Sequence, residues 1–379
     1  MSAGTGPADA VIRDVRTAPI TLDARSDLAV HGARGDHVRS DFLLVRVRAQ
    51  TSSGVVANGY GEVSATPLWS GEDGTTADHL IRTVIAPAVV GRRLAPIGRL
   101  ERLMDTVLAA NPFTKAGVSI ALWDCWARLL NVPLAVALGG PYRDEIPIKI
   151  SLSGDGDALE RAYLAAVAAG FSSFKVKVGT GLTADTARVA RVRELAGPDA
   201  FLAVDANGGW TRHDAARAAR LLEPFNVRFV EQPCEPSDLA GARRIRALGP
   251  TVVADESVFD AADLTRVIAA DAADVVSVYV GKAGGPSRAV ELARLAATFG
   301  IGSIIGSNGE LGIGAAVQAH VACAIPDLNV EFPCDIIGAH YYAEDILDVP
   351  LDSDGRRVRL GDGPGLGVRL RADVESQFR

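Results

Sequence analysis

The sequence predicts an α/β chain: a parallel β/α barrel preceded by a smaller α+β module. Two observations carry this. After Pro147, short apolar strands alternate with Ala-rich helices through eight periods, at 148–152, 174–178, 201–204, 229–231, 252–254, 275–280, 301–305 and 328–331. Polar, chemistry-bearing residues then recur at the ends of successive strands, as in a barrel mouth. A doubly wound sheet is the rival architecture, but no GxGxxG follows the first strand and the polar residues do not gather at one crevice.

Before residue 145 the pattern differs. Residues 41–48 alternate as an amphipathic strand, 54–62 read as its hairpin partner, and helical stretches follow at 76–90 and 113–130. Three regions result: an α+β module (1–144), the barrel (145–345) and a tail (346–379). The turn-rich stretch 361–367 is expected to carry that tail back onto the first module. The polar, aperiodic segment 23–40 reads as a mobile loop over the barrel mouth. Together with 59–71 it is expected to select the substrate. His31, His37 and Trp69 are the candidate contacts there, with solvated-loop roles as the default.

With 48% hydrophobic and 22% charged residues, the 379-residue chain reads as a soluble globular protein. A net charge of −7 argues against nucleic acid as a partner. No apolar run approaches the roughly 18 residues of a membrane span, and the first ten residues do not resemble a signal peptide. Cys125, Cys234, Cys323 and Cys334 lack CxxC spacing, which points to buried free thiols in a cytoplasmic protein rather than zinc or disulfides.

The strand ends carry the chemistry. Lys175 and Lys177 close the second strand, Asp205 the third, Glu231 the fourth, and Asp255 with Glu256 the fifth. Any one of these carboxylates alone reads as a helix cap. Three in register converge on the barrel mouth as hard oxygen ligands suited to Mg²⁺. Lys175 and Lys177 flank Val176 and so point to the same side of their strand. Desolvation and mutual repulsion should lower their pKa values from ~10.4, toward a base that works near neutrality.

The ordered set Lys175-Val-Lys177, Asp205-Ala-Asn207, Glu231-Gln-Pro233, Asp255-Glu256-Ser257 and Gly284-Gly285 resembles the enolase superfamily, in particular its muconate-lactonizing (mandelate racemase/muconate cycloisomerase) subgroup. The resemblance implies a (β/α)7β barrel with an N-terminal α+β capping domain, and Mg²⁺ (or Mn²⁺) held by Asp205, Glu231 and Asp255. It also implies Lys177 as the acid/base assisted by Lys175, Asn207 and Glu256 beside the site, and a small-molecule carboxylate as substrate. A homo-oligomer is expected, without a residue pattern that specifies one.

One position departs from the family pattern. Where a second catalytic lysine is expected on the sixth strand, this chain has Tyr279, and Lys282 falls on the outer lysine. A tyrosine is a poor reversible base unless ionised. The departure favours one-base chemistry from Lys177, of a cycloisomerase, dehydratase or lyase kind. A bulge near Gly281 would instead bring Lys282 into the site and restore a two-base racemase or epimerase of an amino-acid derivative. Glu310 matches the family's seventh-strand segment and is expected in the site, hydrogen-bonded to Lys282 or Tyr279. On the eighth strand, Pro333 interrupts the acidic pair by which dipeptide epimerases of this subgroup hold a substrate amino group.

Overall fold

In the first module one strand separates two cores. The computed structural model describes residues 6–33, 35–37 and 39–379, with the side chains of Val30, Asp36, His37 and Ala339 outside the described set. Strands β1 (Val11–Asp23), β2 (Arg39–Gln50) and β3 (Val56–Val63) form an antiparallel sheet in that order. Alternate residues of β2 face opposite ways. Leu43, Val45, Val47 and Ala49 join the core of the module, while Phe42 and Leu44 join that of the barrel. β1 is not apparent in the sequence, because Arg13, Asp14, Arg16 and Pro19 break its alternation.

Helix α1 (Pro112–Leu130) packs across β3. The approach is so close that a Cβ on Gly61 would lie 1.9 Å from the Gly117 carbonyl oxygen, and one on Gly59 2.1 Å from that of Ala121. The start of α1 is capped by Glu72, which accepts from the backbone N–H groups of Phe113 and Thr114. The helical stretch expected at 76–90 runs as Gly74–Leu80 and Ala86–Val89, joined by a π turn at Ile81–Ile85. Pro87 lies just beyond this turn and lacks the N–H that would continue the α-helical ladder.

The barrel strands are β4 (Ile150–Leu152), β5 (Ser173–Lys177), β6 (Phe201–Asp205), β7 (Val230–Glu231), β8 (Val252–Ala254), β9 (Val275–Val278) and β10 (Gly302–Ile305). All are parallel and neighbour one another in chain order. Helices α2 (Asp157–Ala168), α3 (Leu182–Ala196), α4 (Arg212–Leu222), α5 (Leu239–Arg246), α6 (Ala261–Ala269), α7 (Pro286–Thr298) and α8 (Gly312–Ala324) alternate with them.

The eighth strand expected at 328–331 does not form a ladder. Residues 330–332 turn, and Pro333 has no N–H to donate. Isolated parallel bridges close the gap instead. Leu328 pairs with Ser303 on one side and Cys334 with Ile148 on the other. Asn329 and Asp335 donate to the Ser303 and Ile305 carbonyls, and Cys334 to that of Pro147.

The tail runs back over the first module. The Leu366 N–H donates to Asp124, Thr17 and Arg379 exchange backbone hydrogen bonds, and Glu375 accepts from Tyr60. All four cysteines are free and buried. No helix among the described residues is long and apolar enough to cross a membrane.

A single carboxylate ties β3 to the barrel. Glu62 is buried and accepts from the N–H groups of Leu311 (2.7 Å) and Gly314 (2.9 Å) at the start of α8. Burial pushes its pKa from 4.5 up to about 8, although those two N–H groups pull it down. Folding therefore opposes its ionisation, and its contribution to stability declines as pH rises from about 4.5 through about 8. Glu62→Gln should remove this decline. Thermal denaturation at about pH 5 and about pH 8 checks it: wild type should lose ground to the variant at the higher pH, and equal differences at both would refute the assignment. Gly61→Ala should cost about 1–3 kcal/mol by overpacking against α1, read from urea denaturation.

Candidate functional site

Sheet register sets the acidic groups side by side. Glu231 pairs directly with Asp205 across β6 and β7, and Asp255 follows β8 one strand further on. All three carboxylates are buried. Asp205 Oδ2 lies 2.7 Å from Lys177 Nζ and 3.6 Å from Lys175 Nζ, so one oxygen lies between the two lysine nitrogens. Lys175 also donates to Glu231 Oε2 (2.9 Å) and Asp335 Oδ2 (3.0 Å). Lys177 also donates to Asn207 Oδ1 (2.9 Å), and Asn207 in turn donates to Glu256 (3.0 Å).

The electrostatics correct the expectation for Lys175. Burial by itself would lower its pKa, but Asp335, Glu231 and Asp205 outweigh burial and hold it well above the usual lysine value. It is a fixed ammonium, not a depressed base. Burial and the neighbouring Asp205, Asp255 and Asp335 push Glu231 up to about 8 against the pull of Lys175. Burial, with Asp255 and Asp205, does the same to Glu256. Asp205 is also penalised by burial, yet Lys177 and Lys175 hold it below the ordinary carboxylate range.

Tyr279 ends the sixth strand and lines the cavity, whereas Lys282 is not among the residues that line it. The Tyr279 phenol donates to Asp255 Oδ2 (2.8 Å), and its ring stacks on Trp69 with centroids 5.4 Å apart and planes 24° apart. Burial and the surrounding carboxylates, Asp255 foremost, push the phenol well above its usual pKa, so it stays protonated. Lys282 Nζ is bonded to Asp255 Oδ1 (2.5 Å), the Asp255 carbonyl (2.7 Å) and the Ser277 carbonyl (3.0 Å). It lies 4.2 Å from the centroid of the Tyr279 ring.

Glu310 is not where the sequence suggested. It accepts from Ser307, the Asn308 N–H and Gln318, and borders a separate small cavity with Glu62 and Phe113. Neither Lys282 nor Tyr279 is among its partners. The reason is local: Glu310 just precedes α8, where its carboxylate folds back onto the turn that presents Ser307 and Asn308.

The cavity at the barrel mouth encloses about 760 Å³, counting its open mouth. Lys175, Lys177, Asn207, Ser151 and Asp335 come from the barrel, and Ala24, Leu28, Gly32, Gly35 and Trp69 from the first module. The segment expected as a mobile loop contains a short hairpin, Val30–Gly32 with Gly35–His37. A Cβ on Gly32 would lie 3.3 Å from Asn207 Oδ1 and 4.0 Å from Lys177 Cδ, so the hairpin covers the lysine. His31 is exposed, its N–H donated to Ser153. The side chain of His37 lies outside the described residues.

Sequence reasoning missed Asp335 and Lys149. Lys149 Nζ is fully buried, 3.0 Å from Asp335 Oδ2 and 2.6 Å from the Pro333 carbonyl. The available signal was a lysine inside the apolar run Ile148–Leu152 that begins the barrel. Asp335 follows the interrupted eighth strand, where no periodicity marks it.

Among the described residues no three acidic, histidine or cysteine side chains close into a ligating cluster. Asp205 and Glu231 are engaged by lysines, and Asp255 by Tyr279 and Lys282. The donor set nevertheless fits a hard divalent cation. Three carboxylates lie on adjacent strands, and Glu231 Oε1 is buried with no hydrogen-bond partner.

Residues 158–374, more than half the chain, match the family model described as enolase C-terminal domain-like. Residues 17–139 match the N-terminal domain of the mandelate racemase / muconate lactonizing enzyme family. Muconate cycloisomerase 1 of Rhodococcus opacus is 32% identical over 335 residues, covering 87% of this chain and 89% of that protein. The hydrophobic dipeptide epimerase of Enterococcus faecalis is 34% identical over 368 residues, covering 93% and 98%. The solved N-succinyl Arg/Lys racemase of Bacillus cereus superposes with a TM-score of 0.89 at 28% identity, covering 97% of this chain and 98% of that one. Matching along both modules and over the whole fold makes this chain an enzyme of the enolase superfamily, a member of its mandelate racemase / muconate lactonizing enzyme family.

Proposed function

We propose that this enzyme abstracts the proton α to a substrate carboxylate with one base, Lys177, and completes its reaction on that face, as a cycloisomerase of the muconate kind or as a dehydratase or lyase. The observation that carries this reading is the state of the opposing groups. Lys282 is bonded to Asp255 and Ser277 and does not line the cavity, and Tyr279 is a protonated phenol. Neither is a second base. Lys177 is the most accessible of these three lysines, with 14% of its side chain exposed against 4% for Lys175 and 1% for Lys282.

Lys177 receives the α-proton while Asn207 and Asp205 orient its amine. Lys175 stays an ammonium and offsets the negative charge that builds on the substrate carboxylate. Tyr279 keeps its phenol proton on Asp255 and so orients that carboxylate. Asp205, Glu231 and Asp255 would hold Mg²⁺ or Mn²⁺, which when bound supplies divalent charge beside that carboxylate. The Enterococcus faecalis dipeptide epimerase, a structural neighbour at TM-score 0.87 and 29% identity, is described as a complex with Mg. The racemase and epimerase relatives support a second reading, two-base inversion at the α-carbon.

Incubation in D₂O with Mg²⁺ and a panel of carboxylic acids separates the two. Product formation without inversion fits the one-base reading. Deuterium entry with growth of the opposite stereoisomer would refute it. Lys177→Met should slow α-deuterium exchange by about 10²–10⁴-fold. Tyr279→Phe should leave exchange largely intact, and its loss would make Tyr279 a base. Glu231→Gln should weaken Mg²⁺ binding by 10-fold or more on the order of known metal-site substitutions, read by titration calorimetry.

A further inference from the structure

Beyond the carboxylate end, the cavity wall is aromatic and aliphatic. Trp69, Leu28, Ile337, Tyr341 and Tyr342 all line it. The three tyrosines offer rings and not hydroxyls, because each hydroxyl is already engaged. Tyr341 accepts from the Ser151 N–H (3.1 Å), Tyr342 donates to the Gly309 carbonyl (3.0 Å), and Tyr279 donates to Asp255. Polar side chains at the rim are likewise committed. Ser307 donates to Glu310, and Asn308 to the Ser64 carbonyl and Thr66. The cations among the described lining residues are Lys175 and Lys177, each held by carboxylates of the barrel.

From this we propose that the substrate body is uncharged and apolar, an aromatic or branched aliphatic group seated on Trp69, and that Trp69 is the residue that selects it. The proposal rests on the α-proton reading above and names its substrate class, which within that reading sets aside a dicarboxylate such as a muconate. A second carboxylate at the far end would leave water for a wall of rings, with no described cation free to pair with it. A flat or branched apolar group would instead cover ring surface that is now only half-buried. Trp69 is pre-set for this. Its ring is stacked on Tyr279, which Lys282 backs from within the barrel, so little side-chain freedom is left to lose on binding.

The experiment has two arms, both on the full-length protein. The first follows α-deuterium exchange, with Mg²⁺ present, for 2-substituted acids whose far end is phenyl, isopropyl, carboxylate or ammonium. The second measures binding of 3-phenylpropanoate and glutarate by titration calorimetry, which needs no turnover. The proposal expects the phenyl and isopropyl acids to exchange on the order of 10-fold or more faster than the charged ones, and 3-phenylpropanoate to bind more tightly than glutarate. Trp69→Ala should erase both preferences, mainly through KM, while Trp69→Phe retains them. Faster exchange of the carboxylate or ammonium acid would overturn the proposal and leave Lys177 chemistry standing. Absence of exchange from every acid, with 3-phenylpropanoate still preferred in binding, would overturn the α-proton reading and leave the apolar subsite standing. Equal binding of both acids by wild type and Trp69→Ala would overturn the subsite.

Discussion

A buried carboxylate without a cation costs several kcal/mol, and the mouth of this barrel buries Asp205, Glu231, Asp255 and Asp335 within a few strands of one another. Everything else near the mouth is arranged around that constraint. Lys175 answers three of them, Lys177 shares Asp205, Lys282 answers Asp255, and Lys149 reaches Asp335 from the first barrel strand. Removing one ammonium from such a set leaves an uncompensated charge at a cost of about 3–5 kcal/mol. The lysines thus have a structural duty as well as a chemical one. Both Lys175 and Lys177 combine that duty with a place on the cavity wall, and Lys177, at the lip, is the more exposed of the two.

The same constraint explains why Tyr279 and Lys282 occupy their positions. Asp255 has two oxygens and a carbonyl to satisfy, and the pair satisfies all three. The Tyr279 ring then stands between an ammonium and an indole. Gly306 makes this possible, since a Cβ there would lie 1.9 Å from the ring at Cε1. A phenol held this way is a hydrogen-bond donor of fixed orientation, and the module that contributes Trp69 is in direct contact with it.

Much of this was legible in the sequence because buried parallel strands read as short apolar runs. β5 to β9 follow those runs closely, and the carboxylates at their ends are in register because every βα unit adds one strand. Legibility failed where local rules compete. Pro333 and the turn at 330–332 broke the eighth strand, and with it the cue for Asp335. Lys149 sat within an apolar run and passed as a strand residue. Glu310 lay in a matching segment, but its direction depends on the turn before α8, which no motif encodes. The pKa of Lys175 depended on three distant carboxylates that only the fold brings near.

Glu62 has a consequence for how such enzymes diversify. Its carboxylate belongs to the first module, yet the N–H groups it satisfies belong to the barrel, at the start of α8. Phe42 and Leu44 cross the same boundary from β2. Recombination that grafted a foreign substrate-selecting module onto this barrel would therefore have to bring an acceptor for α8 and two apolar side chains in the right register. The two halves are therefore not free cassettes.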